Sequence, residues 1–282
     1  MATEREPHRE RPVIGFLTDF GLDGAAAICR GVMLSIARDA QIVDISHTVA
    51  KYAVRDGAYL LATAVPWLPV GAHVAVVDPG VGTDRRSIAL LTARGDALVG
   101  PDNGLLLPAA HRLGGMTEAR VIENRSWLPG TTSSTFHGRD IFAPAAAHLA
   151  AGAPFADVGP EVDRATLVEL AAAAATASEG NLATEVVYVD SFGNLRLAGG
   201  VAELVSALGP VAPGTRLEVS LAEGPSGERP VARWSRTFGE TAAGELLAYE
   251  DSSGALAIAE STGNAARRLG VASGARIGIR RA

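Results

Sequence analysis

The 282-residue chain is 48% hydrophobic and 20% charged, a globular composition that excludes a disordered chain, and its length favours two domains. The net charge of −6 argues against a nucleic-acid partner. The single cysteine, Cys29, excludes an internal disulfide, a cysteine zinc cluster and a redox pair. No apolar run reaches the ~18 residues needed to cross a bilayer and the first residues hold no apolar signal core, so we expect a cytoplasmic protein without a membrane partner.

The first part of the chain alternates strands and helices. After a charged lead-in over 1–12, which we expect to be disordered, apolar runs that stop at turn residues predict strands, and apolar residues at helical spacing predict helices. The predicted elements are a strand from Val13, a helix over Gly24–Ile36, a strand from Gln41, a helix over Arg55–Val65, a strand from His73, a strand pair from Ser87 and a helix ended by Gly152. This order predicts an α/β domain with a mainly parallel sheet over 13–178.

The second part of the chain has a different hydrophobic pattern. After Leu182, short alternating runs are separated by Gly and Ser turns, with little helix between them. This pattern predicts a small β-barrel domain over 179–282, with the boundary in the region 170–182.

Three aspartates, Asp19, Asp78 and Asp102, follow predicted strands directly. In parallel sheets, ligands bind beyond the carboxyl ends of the strands. Asp19, in the string TDFG, could accept hydrogen bonds from the vicinal diol of a ribose, although a turn or helix-cap aspartate is the simpler interpretation of a single acid.

The loop DPGVGTDRR places Asp78 and Arg85 seven residues apart, close enough to pair across it. Its glycines allow a ligand to approach the backbone, but it lacks the lysine and hydroxyl of a nucleotide-triphosphate loop, so phosphoryl transfer is not expected. A solvated surface ion pair is the alternative.

The string FHGRD contains His137, the one histidine flanked by an aromatic residue and a glycine ahead of an apolar helix. A structural histidine is the alternative to a chemical one. No G-x-S-x-G elbow supports a serine hydrolase. Metal binding by Asp19, His47, Asp78 and His137 has no supporting histidine spacing.

The string DSFGN in the second domain offers Asn194 for the edge of a heterocycle and Phe192 for stacking. Taken alone, it is also typical of a hairpin turn.

Seven strings occur in order over nearly the whole chain: FLTDFG, VDISH, DPGVGTDRR, GPDNGLL, FHGRDIFAPAAAHLAAG, DSFGN and SSGALAIAESTGNAA. With them the chain resembles the S-adenosylmethionine (SAM) hydrolase family, the SAM hydroxide adenosyltransferases, which are related to bacterial fluorinase and chlorinase. The resemblance implies an α/β domain plus a β-barrel, and a homotrimer with SAM bound between one subunit's first domain and its neighbour's second.

The resemblance also implies roles for individual residues. Water activation falls on Asp78, Arg85 and His137, the ribose hydroxyls on Asp19, and the vicinity of the sugar on Tyr52. Phe136 is expected to lie near the ligand. Asp190, Asn194 and Ser252 match positions that hold the methionine part and the adenine. Further lining residues are Phe192, Phe238, Tyr249 and Glu260.

Two of these positions distinguish water from halide. Halide-using relatives carry a tyrosine in place of His137 and an uncharged or aromatic residue in place of Asp78. A carboxylate would repel a halide ion by roughly 4 kcal/mol at close range and an effective dielectric near 20.

We therefore expect displacement at C5′ of SAM by water, giving adenosine and L-methionine, with no cofactor and no metal. Either His137 or Asp78 would accept a hydrogen bond from the water. A chlorinase-type 5′-halogenase, a metal-dependent nucleoside hydrolase and a non-catalytic SAM or adenosine sensor are the alternatives.

Overall fold

The computed structural model describes residues 11–221 and 229–282, and the chain divides after Leu170 into two compact units. This division lies at the start of the region in which we expected the boundary. Residues 1–10 of the predicted disordered lead-in lie outside the described residues. None of the described helices is long and apolar enough to cross a membrane.

The first unit contains one six-stranded sheet. Its strands are β1 (Val13–Thr18), β2 (Gln41–Ser46), β3 (Ala72–Val76), β4 (Ser87–Thr92), β5 (Ala97–Pro101) and β6 (Met116–Val121). They lie in the order β2-β1-β3-β5-β4-β6. The first four of these run parallel, whereas β4 is antiparallel to both β5 and β6. The predicted mainly parallel sheet and the predicted strand pair β4–β5 are thus confirmed.

Helices cover both faces of this sheet. They are α1 (Ala25–Ile36), α2 (Val54–Ala64), α3 (Leu107–Arg112) and α4 (Ala143–Ala150), and a π-helical turn at Gly138–Phe142 leads into α4. Side chains of β1 alternate between two cores: Ile14 and Phe16 pack with α1 and α4, and Leu17 packs with α2 and α3. Because both faces are covered, β1 and β3 are buried along their whole length.

The described residues of the second unit form a closed barrel with two helices. Its elements are β7 (Thr176–Ser178), β8 (Asn181–Val189), β9 (Leu195–Gly200), α5 (Val201–Leu208), β10 (Arg216–Leu221), β11 (Val231–Trp234), β12 (Leu246–Glu250), β13 (Ala255–Glu260), α6 (Ala265–Leu269) and β14 (Arg276–Arg281). The order β14-β10-β11-β12-β13-β9-β8 closes because β14 also pairs with β8, and β7 adds to β8. The predicted β-barrel is confirmed.

Candidate active site

A pocket of about 180 Å³ in the first unit lies at the carboxyl ends of β1 and β3. Asp19 follows β1 directly, and Asp78 stands two residues after β3. The lining residues are Asp19, Phe20, Lys51, Tyr52, Val76, Asp78, Val81, Thr135, Phe136, His137 and Gly138. The pocket therefore unites five of the residues predicted from the sequence. The third strand-end acid, Asp102, binds Arg86 and the amide of Val168 instead.

Arg85 connects Asp78 and His137 within this site. Its Nε and Nη2 donate to the two carboxylate oxygens of Asp78 at 3.1 and 2.5 Å, and Nη2 also donates to His137 Nδ1 at 3.0 Å. Nη1 donates to the carbonyl of Arg86 and the hydroxyl of Ser87. A guanidinium has five N–H donors, and these five hydrogen bonds engage all of them. Arg85 can thus act on a ligand only through its two partners.

The hydrogen bond from Arg85 fixes the tautomer of His137. An arginine N–H can only donate, so Nδ1 must accept, and the proton of the neutral imidazole resides on Nε2. Burial, and then the positive charge of Arg85, lower the pKa of the His137 ring below its ordinary value. His137 is consequently a neutral ring with one N–H available to a ligand.

The position of His137 depends on its neighbours in the chain. Arg139 forms a two-pronged pair with Asp140 at 2.6 and 2.8 Å, and its guanidinium lies 5.1 Å from the centre of the Phe136 ring. Asp140 also accepts from the amide of Ser133 at 2.7 Å, which holds the preceding polar loop.

Gly138 is required by close packing. A Cβ atom at this position would lie 2.8 Å from the ring of Phe20. The FHG string therefore includes its glycine for steric reasons, which a sequence motif alone does not reveal.

Asp19 is held by the segment that follows β2. Its Oδ2 accepts from the amide of Tyr52 at 2.9 Å, and its backbone carbonyl accepts from Lys51 Nζ at 2.8 Å. Tyr52 has φ of 66°, in the left-handed region that a side chain other than glycine rarely adopts. Among the described residues no donor binds Oδ1, so this oxygen is available to a ligand. Sequence reasoning missed Lys51 and this backbone contact.

The four residues that we considered as metal ligands do not form one group. His47 binds Thr18 at 2.9 Å and lies 3.2 Å from Asp44, outside the residues that line the pocket. Within the described part of the chain, no three His, Cys, Asp or Glu side chains are arranged to hold a metal ion.

The DSFGN string forms a hairpin turn between β8 and β9 of the second unit. Asp190 Oδ1 accepts from the amides of Phe192 and Asn194, both at 2.9 Å, and Oδ2 accepts from the Asn194 side chain at 2.8 Å. Turn chemistry thus explains the aspartate locally. Phe192, in the same turn, is 74% exposed.

Three further predicted residues of the second unit, Glu260, Phe238 and Tyr249, contact other side chains or backbone of that unit. Glu260 Oε2 accepts from the amide of Asn264 at 3.0 Å, and Asn264 packs against Gly193 of the DSFGN turn. The rings of Phe238 and Tyr249 lie 5.2 Å apart.

Ser252 lies in the turn before β13, beside the pair Ala255–Gly200. The DSFGN turn lies beyond the pair Ile258–Leu195, about 10 Å further along β13. Ser252 and Asn194 therefore flank different ends of this strand.

Known proteins match both units. Residues 14–159 match the model of the SAM hydroxide adenosyltransferase N-terminal domain, and residues 184–278 match that of its C-terminal domain. The (R)-S-adenosyl-L-methionine hydrolase of Salinispora tropica is 48% identical over 95% of this chain and 97% of that protein. A fluorinase of Actinopolyspora mzabensis is 30% identical over 96% of this chain and 98% of that protein.

A solved structure of an uncharacterized conserved protein from Thermotoga maritima has a TM-score of 0.86 and 35% identity, covering 95% of this chain and 100% of that one. The two family models together span well over half of the sequence. This chain belongs to the SAM hydroxide adenosyltransferase family.

Proposed function

We propose that this protein hydrolyses S-adenosyl-L-methionine at C5′, giving adenosine and L-methionine. The observation that carries the proposal is the Asp78–Arg85–His137 array beside the pocket, in a chain 48% identical to a protein named for this reaction. The substrate is a sulfonium cation, and two buried carboxylates, Asp19 and Asp78, line the pocket.

The nucleophile is a water molecule between Asp78 and His137. His137 Nε2–H donates to the water oxygen, and an oxygen of Asp78 accepts one of the water's hydrogens. Of the two acceptors left open by the sequence, this geometry supports Asp78, because the only free nitrogen of His137 carries a proton. A second lone pair of the water then faces C5′, and such positioning contributes about 7–11 kcal/mol to catalysis.

In the displacement, the C5′–O bond forms as the C5′–S bond breaks. The electron pair of the breaking bond goes to sulfur and yields the neutral thioether of methionine. The oxygen on C5′ then carries a positive charge and releases one proton through Asp78 to solvent. Because the sulfonium leaves as a neutral molecule, no acid is needed for its departure, and the scheme requires no metal.

Asp19 holds the ribose in this scheme. Its Oδ2 is occupied by the Tyr52 amide, so the free Oδ1 accepts from the vicinal hydroxyls. Tyr52 and Phe136 also line this pocket, so both contact the part of the substrate that it holds.

A homotrimer would supply the rest of the site. A pocket of about 180 Å³ is smaller than the roughly 300–1,000 Å³ of typical ligand pockets, which supports its holding only part of SAM. We assign the ribose and the reacting carbon to it because Asp19, Asp78 and His137 line it. The methionine and adenine parts then bind to the second unit of a neighbouring subunit, through Asp190, Asn194, Ser252 and the aromatic residues Phe192, Phe238 and Tyr249. We place the enzyme in the cytoplasm.

One experiment tests the function directly. Purified protein is incubated with SAM, with and without chloride and with and without excess chelator, and the products are identified by mass. We expect adenosine and methionine under all conditions. Tight SAM binding without adenosine release would instead identify a sensor, 5′-chloro-5′-deoxyadenosine a halogenase, and loss of activity with chelator a metal-dependent enzyme.

A further inference from the structure

The turn that bears Asp19 is fixed by a chain of polar side chains outside the pocket. His47 Nδ1 lies 2.9 Å from the hydroxyl of Thr18, the residue before Asp19, and His47 Nε2 lies 3.2 Å from Asp44 Oδ1. The other oxygen of Asp44 pairs with Arg30. Neither the sequence motifs nor the proposed chemistry assigns a role to this series of side chains.

The hydroxyl of Thr18 is the centre of this arrangement. His47 Nε2 is within ion-pair distance of Asp44 but makes no hydrogen bond among the described residues, so Nδ1 is the ring atom that binds the turn. The hydroxyl of Thr18 hydrogen-bonds to this Nδ1, and its oxygen accepts from the amide of Phe20 at 3.2 Å. One hydroxyl thus connects His47 to the backbone on the far side of Asp19.

Two further contacts make this arrangement rigid. The carbonyl of His47 accepts from the amide of Gly21 at 2.7 Å, so the histidine binds the turn at both of its ends. Thr18 is fully buried, and the His47 ring packs edge-on against Phe16 at 4.7 Å. When a buried hydroxyl loses its hydrogen-bond partner, the affected equilibrium constant changes roughly tenfold or more. Loss of the Thr18–His47 hydrogen bond should therefore have a measurable effect.

From this geometry we propose that His47 is a positioning residue, which acts through Thr18 to hold the carboxylate of Asp19 at the angle needed to accept from both hydroxyls of a ribose. The inference rests on the proposed role of Asp19 in holding the ribose. It predicts an effect confined to ligands that carry the vicinal diol.

The test compares adenosine with 2′,3′-dideoxyadenosine by calorimetry. Thr18→Val removes the hydroxyl but keeps the shape, and we expect it to weaken adenosine binding about tenfold while leaving the Kd of the dideoxy compound within about twofold. Thr18→Ser retains the hydroxyl and should bind like the wild type. Thr63→Val, which removes a half-buried hydroxyl bonded within α2, is the matched control.

His47→Phe provides a second route should Thr18→Val not fold, since it keeps a ring against Phe16 and removes Nδ1. Equal weakening of both ligands, or of neither, overturns the inference. Asp19→Asn separates the two proposals. If it abolishes the preference for adenosine while the Thr18 and His47 variants keep that preference, only the positioning role fails. If it keeps the preference, the ribose role of Asp19 fails as well.

Discussion

At the scale of single residues, the role of His137 follows from the chemistry of its neighbour. Arg85 donates one N–H to Nδ1 of His137, so His137 can act on a ligand only through its Nε2–H. We expect His137→Ala to lower kcat for SAM by about 10²–10³-fold, the usual cost of removing a hydrogen-bond donor from a reacting oxygen. His137→Gln, which keeps an N–H and an acceptor for Arg85, should retain more activity than the alanine variant. His111→Ala, on the exposed side of α3, is the control, and unchanged turnover in His137→Ala would reject the role.

The same bond determines the pH dependence. Burial and the charge of Arg85 lower the pKa of His137, so the ring stays neutral to a lower pH than an ordinary histidine. Protonation puts a proton on Nδ1 and breaks the bond from Arg85. Activity should therefore hold as pH falls through ~6.5, the ordinary histidine value, and decline only below it. A decline at or above that value, or one that persists unchanged in His137→Gln, contradicts the assignment.

Asp78 should exclude chloride as a nucleophile. Both of its oxygens face the guanidinium of Arg85, which offsets part of the negative charge. The carboxylate nevertheless lines the pocket, where an unpaired carboxylate would repel an anion by roughly 4 kcal/mol at close range. We expect SAM with a large excess of chloride to give adenosine and no 5′-chloro-5′-deoxyadenosine by mass spectrometry. Detection of the chlorinated product would show that this charge does not decide the nucleophile.

At the scale of elements, strands ending in polar residues could be predicted from sequence because apolar runs mark buried strands. The carboxyl ends of β1 and β3 accordingly carry Asp19 and Asp78, as the pattern indicated. The predictions missed α3 and β6, whose short segments carry no clear period, and the helices of the barrel. Contacts between distant segments were equally hidden: no local pattern reveals that Tyr52 donates its amide to Asp19.

A buried network at the opposite end of β3 tests how the sheet is stabilised. His73 and Asp96 are fully buried, and Asp96 accepts from His73 Nε2 at 3.1 Å and from Arg94 at 2.7 and 2.8 Å. Burial opposes ionisation of Asp96, but the bonds from His73 and Arg94 outweigh it and hold the pKa of this carboxyl well below its ordinary value.

The ionised form of Asp96 therefore stabilises the fold above about pH 4, and this contribution is lost as pH falls further. We expect Asp96→Asn to lower the free energy of unfolding by about 3–5 kcal/mol at neutral pH, and to flatten the loss of stability between about pH 4 and 2. Urea unfolding across this range, with the exposed Asp39→Asn as control, measures both effects. Equal acid sensitivity in the wild type and the Asp96 variant would refute the linkage.

At the scale of the whole molecule, the chain carries its proposed site residues on two units. The residues proposed for water activation and for the ribose belong to the first unit, whereas Asp190, Asn194 and Ser252 belong to the barrel. The division into two domains could be predicted from the sequence alone, since the hydrophobic pattern changes near the boundary. It could not determine which copies of the two units share a substrate, because that depends on surfaces with no local signature.

Subunit complementation answers this question. Asp78→Asn disables the first unit and Asn194→Ala the second, so each variant alone should be inactive towards SAM. In a mixed trimer whose sites join one subunit's first unit to its neighbour's barrel, one site in three combines two intact units. We therefore expect co-expressed variants, differently tagged and purified through both tags, to recover activity of that order. Light scattering checks the trimer in the same sample. Mixed trimers that stay inactive would place each site within one chain, as would a monomer that retains full activity.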